Sequence, residues 1–151
     1  MIKIICVGKI KEKYLIDAIN EYKKRLSKYT KLDIIEVNDI DNPSKDIILE
    51  KEKNLIEKYI DSKDFVITLE IEGNMLNSVE LAKKINNTFN THSTITFIIG
   101  GSYGLHEAIK ERSNYKLSFS KLTFPHQLFR VNLLEQIYRS FKINNNEAYH
   151  K

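Results

Sequence analysis

The sequence predicts an α/β protein, a mostly parallel sheet with helices on both faces. Two observations carry that prediction. Short β-branched apolar runs alternate with longer stretches of three- and four-residue apolar spacing along the whole chain, and no linker, repeat or low-complexity block interrupts them. The length of 151 residues suits one domain over 1–151, enough to bury roughly two-thirds of the unfolded surface. A hydrophobic content of 42% against 29% charged residues excludes a disordered or membrane-embedded chain.

The first element is "IKIICVG", a nearly continuous apolar run ending at Gly8, as a strand buried on both faces reads. From Glu12 to Tyr29, Leu15, Ala18, Ile19, Tyr22 and Leu26 recur at helical spacing between Lys and Glu. "LDIIEV" is a second strand. Asp41 to Ser44, with Pro43, turns into a charged amphipathic helix that runs to about Tyr59. "DFVITLEI" is the third strand. Asn77 and Glu80 have capping-box spacing and open a helix to about Phe89. "STITFIIGG" is the fourth strand and stops at a double glycine. "LHEAIKER" is a short helix, "YKLSFS" a fifth strand, and His126 to about Ile143 the last helix, with Pro125 setting its start.

Several function classes fall away at once. Cys6 is the single cysteine and lies in an apolar run, so it reads as a small buried hydrophobe, with no disulfide or thiolate cluster to form. His92, His106, His126 and His150 show no metal-ligand spacing, and no metal site is expected. His126 reads as a capping or structural residue, His92 and His106 as surface. "MIKIICVGKI" is too short and too interrupted by Lys3 and Lys9 for a signal sequence or membrane span, which points to the cytoplasm.

The net charge of +4 is modest, but its distribution is uneven. From Arg112 onward seven basic residues face only Glu135 and Glu147. A cationic last third suggests phosphate contact, with a solvated helix face as the alternative.

In an open parallel sheet ligands bind beyond the carboxyl ends of the strands. That rule selects Leu69 to Gly73, Gly100 to Gly104 and the loop after Phe119. "IIGGSYG" has neither dinucleotide-binding spacing nor a Walker lysine, so it reads either as a tight turn or as a close backbone approach to a ligand. "LSFSKLTFP" interleaves Ser118, Ser120, Lys121 and Thr123 with Leu117, Phe119, Leu122 and Phe124, a composition suited to a small-molecule pocket. The closing "NEAYHK" places an aromatic, an imidazole and a cation side by side, either as solvated residues or as chemistry.

"FIIGGSYGLHEAI", "LSFSKLTFPHQLFRVNLLEQIYRSFKI" and "EAYHK" together resemble the ribosomal RNA large subunit methyltransferase H family of the SPOUT superfamily, small bacterial enzymes that methylate N3 of a pseudouridine in 23S ribosomal RNA. The resemblance runs from "KIICVGKIKEKYL" through "VITLEIEG" to Lys151. It implies S-adenosyl-L-methionine as cofactor, a homodimer, a trefoil knot in the last third, and 23S ribosomal RNA within the large subunit or ribosome as partner. Carried over by motif, the cofactor would touch Leu69, Gly100, Phe119, Ser120, Lys121, Leu122, Thr123 and Phe124, and these coincide with the three places that the strand-end rule selects.

The same resemblance makes the last residues interpretable. Tyr149 would stack on a base, His150 would accept a proton or act as a hydrogen-bond partner, and Arg139 would stand by the base or a phosphate, so that these three form the expected catalytic group. Arg130, Arg139, Lys142 and Lys151 are the expected RNA contacts. Two departures stand out. Asn145 and Asn146 replace the Arg-Gly usual before the tail, and Asn can still adopt the left-handed conformation that a reversal needs. Tyr103 occupies a position that is usually polar. A ribosome-associated factor without catalysis, or a related methyltransferase acting on transfer RNA, are the competing readings.

Overall fold

The computed structural model describes residues Met1–Lys151. Ten elements follow one another: β1 (Ile2–Val7), α1 (Lys13–Leu26), β2 (Leu32–Val37), α2 (Lys45–Glu57), β3 (Phe65–Met75), α3 (Ser78–Thr88), β4 (Ile95–Ile99), α4 (Glu107–Arg112), β5 (Tyr115–Ser118) and α5 (His126–Asn144). The strands form one five-stranded sheet in the order β2-β1-β4-β3-β5, and every pairing is parallel. The expected α/β fold with helices on both faces is what the chain adopts. No helix is long and apolar enough to cross a membrane.

Alternation along the central strands builds two cores. Ile4 and Cys6 of β1, Phe97 and Ile99 of β4 and Ile67 of β3 point to one face, where they meet Ile19 and Leu26 of α1, Leu81 and Ile85 of α3, and Leu133, Leu134 and Ile137 of α5. Ile5 and Val7, Ile98 and Val66 point to the other, against Ile56 of α2 and Ile109 of α4. Both faces of β1 and β4 are therefore covered, which is why their sequences are apolar apart from Lys3 and Thr96. Each fully buried aliphatic side chain stabilises the fold by roughly 1.5–3 kcal/mol relative to exposure.

Local signals set the helix ends. Ser44 Oγ accepts from Ile47 N at the start of α2, and Asn77 with Glu80 forms a reciprocal capping box on α3, as the spacing predicts. β3 and β5 depart from expectation. β3 leaves β5 after Leu69 and pairs with it again at Asn74 and Met75, so it runs four residues beyond Ile71. Gly73 permits that return, since a Cβ there would sit 2.8 Å from the Lys116 carbonyl. β5 stops at Ser118 because Ser118 Oγ donates to Ser120 O and Ser120 Oγ accepts from Leu122 N, local bonds that draw the chain out of the ladder. The implied trefoil knot is compatible with this strand order.

Candidate functional site

The carboxyl ends of β3, β4 and β5 open into one cleft of about 240 Å³. Its walls are the Leu69–Ile71 excursion of β3, the loop from Ile99 to Gly104, the segment from Leu117 to Phe124, and His126 and Phe129 at the start of α5. Leu69, Gly100, Phe119, Ser120, Leu122, Thr123 and Phe124 all line it. Lys121, which the motif also selected, is exposed and does not.

Backbone geometry shapes this cleft. Gly104 N donates to Gly101 O at 3.1 Å and Gly104 has a φ of +77°, so the loop is a closed turn. At Gly100 a Cβ would lie 2.5 Å from the Gly104 carbonyl oxygen, and only glycine fits. Phe129 packs on Phe119 at 4.7 Å between ring centroids and on Phe124 at 6.1 Å, giving an aromatic wall. Apolar walls, a cramped glycine turn and the hydroxyls of Ser120 and Thr123 suit a small molecule with a few polar groups.

Glu70, Ile71, Gly101, Ser102 and Gly104 lay inside the stretches that the strand-end rule marked but carried no individual role. His126, read as structural, turns out to line the cleft as well as begin α5. Phe129 had no local signal beyond its helical spacing.

The last residues fold back on α5. Asn146 takes a φ of +54°, the left-handed conformation expected where a glycine is usual, and Asn145 Nδ2 caps Phe141 O at 2.7 Å. Glu147 then accepts from the Tyr29 hydroxyl at 2.8 Å and from Lys142 Nζ at 3.0 Å. Those bonds hold its carboxyl below the usual carboxylate range. Beyond this anchor Tyr149 packs edge-on against Tyr138 at 5.0 Å, and the Arg139 guanidinium lies 4.7 Å over its ring. Arg139 Nη1 donates to His150 Nδ1 at 3.1 Å, while its Nε donates to Glu135 at 2.9 Å and its Nη2 also bonds Glu135. Tyr149, His150 and Arg139 are thus brought together, as expected, with Glu135 as a fourth member that no motif indicated.

Two expected RNA contacts require correction. Arg130 is only 2% exposed: Nη1 pairs with Glu36 at 2.5 Å and Nη2 donates to Gly8 O at 3.1 Å, so its charge braces α5 against β1 and β2 and faces no solvent phosphate. Lys142 is engaged by Glu147 and lies 5.8 Å and 5.6 Å from the Tyr29 and Tyr138 rings, with its pKa raised by hydrogen bonds to Tyr29 and Glu147. It anchors the tail. Lys151 is exposed, and Arg139 remains partly accessible.

Other polar residues have structural work. His106 caps α4 through Nδ1, which accepts from Ala108 N, and its Nε2 stands 3.0 Å from Glu50, more than the surface role expected of it. Tyr103 is half exposed, with Lys45 Nζ 5.9 Å from its ring. Cys6 is fully buried, and desolvation pushes its thiol up to about 12. No group of three or more His, Cys, Asp or Glu side chains is placed to hold a metal ion.

Comparison with known proteins bears on the family and the fold. A family model described as predicted SPOUT methyltransferase matches residues 1–150. A Methanococcus maripaludis protein is 62% identical over 157 aligned positions, covering 99% of both chains. A Clostridium botulinum protein, ribosomal RNA large subunit methyltransferase H, is 57% identical with the same coverage of both chains. Among solved structures, a "probable methylase family protein" from Haemophilus influenzae superposes with a TM-score of 0.62 at 14% identity, over 99% of this chain and 70% of that one, a likeness of fold.

Proposed function

The chain belongs to the ribosomal RNA large subunit methyltransferase H family of SPOUT methyltransferases, and from that premise we propose that it methylates N3 of a pseudouridine in 23S ribosomal RNA. It is an S-adenosylmethionine-dependent enzyme. The observation that carries the reading is the cleft, where the motif residues at the ends of three strands converge on one cavity with an aromatic wall and a glycine turn.

When bound, S-adenosylmethionine supplies a methyl group on a positively charged sulfur. Leu69, Gly100, Phe119, Leu122 and Phe124 would enclose its apolar parts, and Ser120 and Thr123 offer hydroxyls. Most of the rate would come from holding the reactants in line and out of water.

The tail supplies the other half. Because an arginine only donates, His150 Nδ1 accepts from Arg139, and the ring hydrogen of the neutral form sits on Nε2. His150 therefore presents a donor to the substrate, and it stabilises the negative charge that appears as N3 loses its proton to water. Tyr149 would offer its ring to the base for stacking, and Lys151 a charge to phosphate.

Neither Tyr149 nor His150 lines the cleft of its own chain, and α5 separates His126 from Arg139 by about 20 Å at helical rise. A homodimer in which the tail of one copy faces the cleft of the other would join the halves. Leu122, Phe124, Leu128, Met75 and Val79 are exposed apolar side chains available to such a contact. The substrate is then the large subunit or ribosome, in the cytoplasm.

The test is transfer of labelled methyl from S-adenosylmethionine to ribosomes lacking the modification, by wild type, His150→Ala and a chain ending at Glu147. Wild type should methylate, while both variants bind cofactor and fail. Cofactor binding by wild type without transfer to either particle would overturn the substrate assignment.

A further inference from the structure

The geometry points to Glu70 as the residue by which the cleft selects the cationic methyl donor over its demethylated, uncharged product. The inference rests on the reading of the cleft as the S-adenosylmethionine site and adds the means by which donor and product are told apart. Donor and product share their adenosine and amino-acid parts and differ in the methyl group and in the sulfonium charge. Shape separates them by at most the methyl group, about 1–3 kcal/mol in an apolar pocket. The charge is a second difference, independent of fit.

Among the residues that line the cleft, Glu70 is the one carboxylic acid, there is no lysine or arginine, and the imidazole of His126 is the other ionisable group. The Glu70 carboxylate is not free to swing into solvent. Its side chain is 11% exposed, and Oε2 accepts from the hydroxyl of Thr68 at 2.6 Å, itself fully buried and 2.9 Å from Ser113 Oγ. Its nearest cation is Lys110, 3.9 Å from Oε1, and that ammonium is shared with Glu107 at 3.7 Å. One cation between two carboxylates leaves a net negative charge at the β3 side of the cleft. In a half-buried site such a charge acts through a lower effective dielectric than water and attracts a sulfonium more strongly than it would on an open surface. Once the methyl has left, the sulfur is neutral and the attraction is gone, so the same carboxylate that holds the donor releases the product.

Calorimetric binding of S-adenosylmethionine and S-adenosylhomocysteine to wild type, Glu70→Gln and Lys110→Met, at low and high salt, tests this. Wild type should prefer the donor, and Glu70→Gln should reduce that preference by on the order of fivefold through loss of donor affinity alone. Lys110→Met should move it the opposite way, by about twofold to threefold, because it removes the counter-charge. Added salt should erode the preference of wild type and leave that of Glu70→Gln unchanged. A merely structural brace would not do this: equal weakening of both ligands in Glu70→Gln overturns the inference, as does a Lys110→Met protein with unchanged or reduced preference. If Glu70→Gln does not fold, the Lys110→Met and salt measurements decide. Wild type that binds neither ligand overturns the reading of the cleft itself, a distinguishable failure.

Discussion

Arg139 Nη1 stands 3.1 Å from His150 Nδ1, and the same guanidinium covers the Tyr149 ring and grips Glu135. One side chain thus sets the orientation of both residues expected to face the substrate. Arginine is suited to this because its planar fork serves several acceptors while its face covers an aromatic ring.

The first prediction concerns the imidazole. With Nδ1 occupied as an acceptor, nitrogen NMR of ring-labelled protein should show His150 as the Nε2–H tautomer. Arg139→Met should lose that preference and reduce methyl transfer by about 100-fold, the scale of a lost charge-stabilising donor, without weakening cofactor binding. An unchanged tautomer in Arg139→Met would show that Arg139 does not orient the ring.

The second concerns the glycine turn. Gly100→Ala would place a methyl 2.5 Å from the Gly104 oxygen and 2.7 Å from its carbon, both backbone atoms. The turn must open, so cofactor affinity should fall at least about tenfold, a displacement of the order that costs such factors in a positioned site. Fluorescence or calorimetric titration measures it. By contrast Lys121→Ala, outside the cleft, should bind cofactor as wild type does.

The third follows from the burial of Arg130. Arg130→Met removes the partner of Glu36 and the donor to Gly8 O, and should cost about 1–2 kcal/mol in urea unfolding, since Glu36 stays partly solvated while the Gly8 carbonyl loses its donor. Arg130 Nε has no partner of its own, so the pair is imperfectly satisfied, and the double variant Arg130→Met with Glu36→Gln should recover part of that loss. An RNA contact would instead show in binding and salt dependence with stability unchanged.

These contrasts mark what was legible in the sequence. Element order, the capping box at Asn77 and the start of α5 after Pro125 follow from local chemistry, and local chemistry is written in neighbouring letters, whereas the left-handed residue at Asn146 was expected only through the family resemblance. The strand-end rule found the cleft for the same reason, since strand ends are local. Arg130 was misread because its partner is remote, Glu36 lying 94 positions away; Lys142 pairs with Glu147 only five positions on, but the fold-back that brings them together leans on Tyr29, 118 positions from Glu147. Charge on a helix looks alike whether it faces phosphate or a carboxylate brought up by another strand. The second leg of β3 was hidden likewise, because re-pairing at Asn74 depends on where β5 passes.

The last prediction is a pH dependence of stability. Asp64 is nearly buried at the start of β3, and its Oδ2 accepts from Lys3 Nζ at 2.9 Å, Thr96 Oγ1 at 2.9 Å and Asp61 N at 3.1 Å. Burial alone would raise its pKa, but the bonds from Lys3, Asp61 and Thr96 outweigh it and hold the carboxyl below its ordinary value. An unfolded Asp titrates near about 3.9, so the native state binds its proton less readily than the unfolded chain does. The stabilisation is therefore complete above that value and disappears as the pH falls through the lower native pKa. Asp64→Asn should be less stable than wild type by about 3 kcal/mol at neutral pH, with the gap closing below about pH 4. Thermal melts of both proteins between pH 7 and 2 measure it, and a gap that stays constant over that range would mean that the ionised carboxylate is not what Lys3 and Thr96 hold in place.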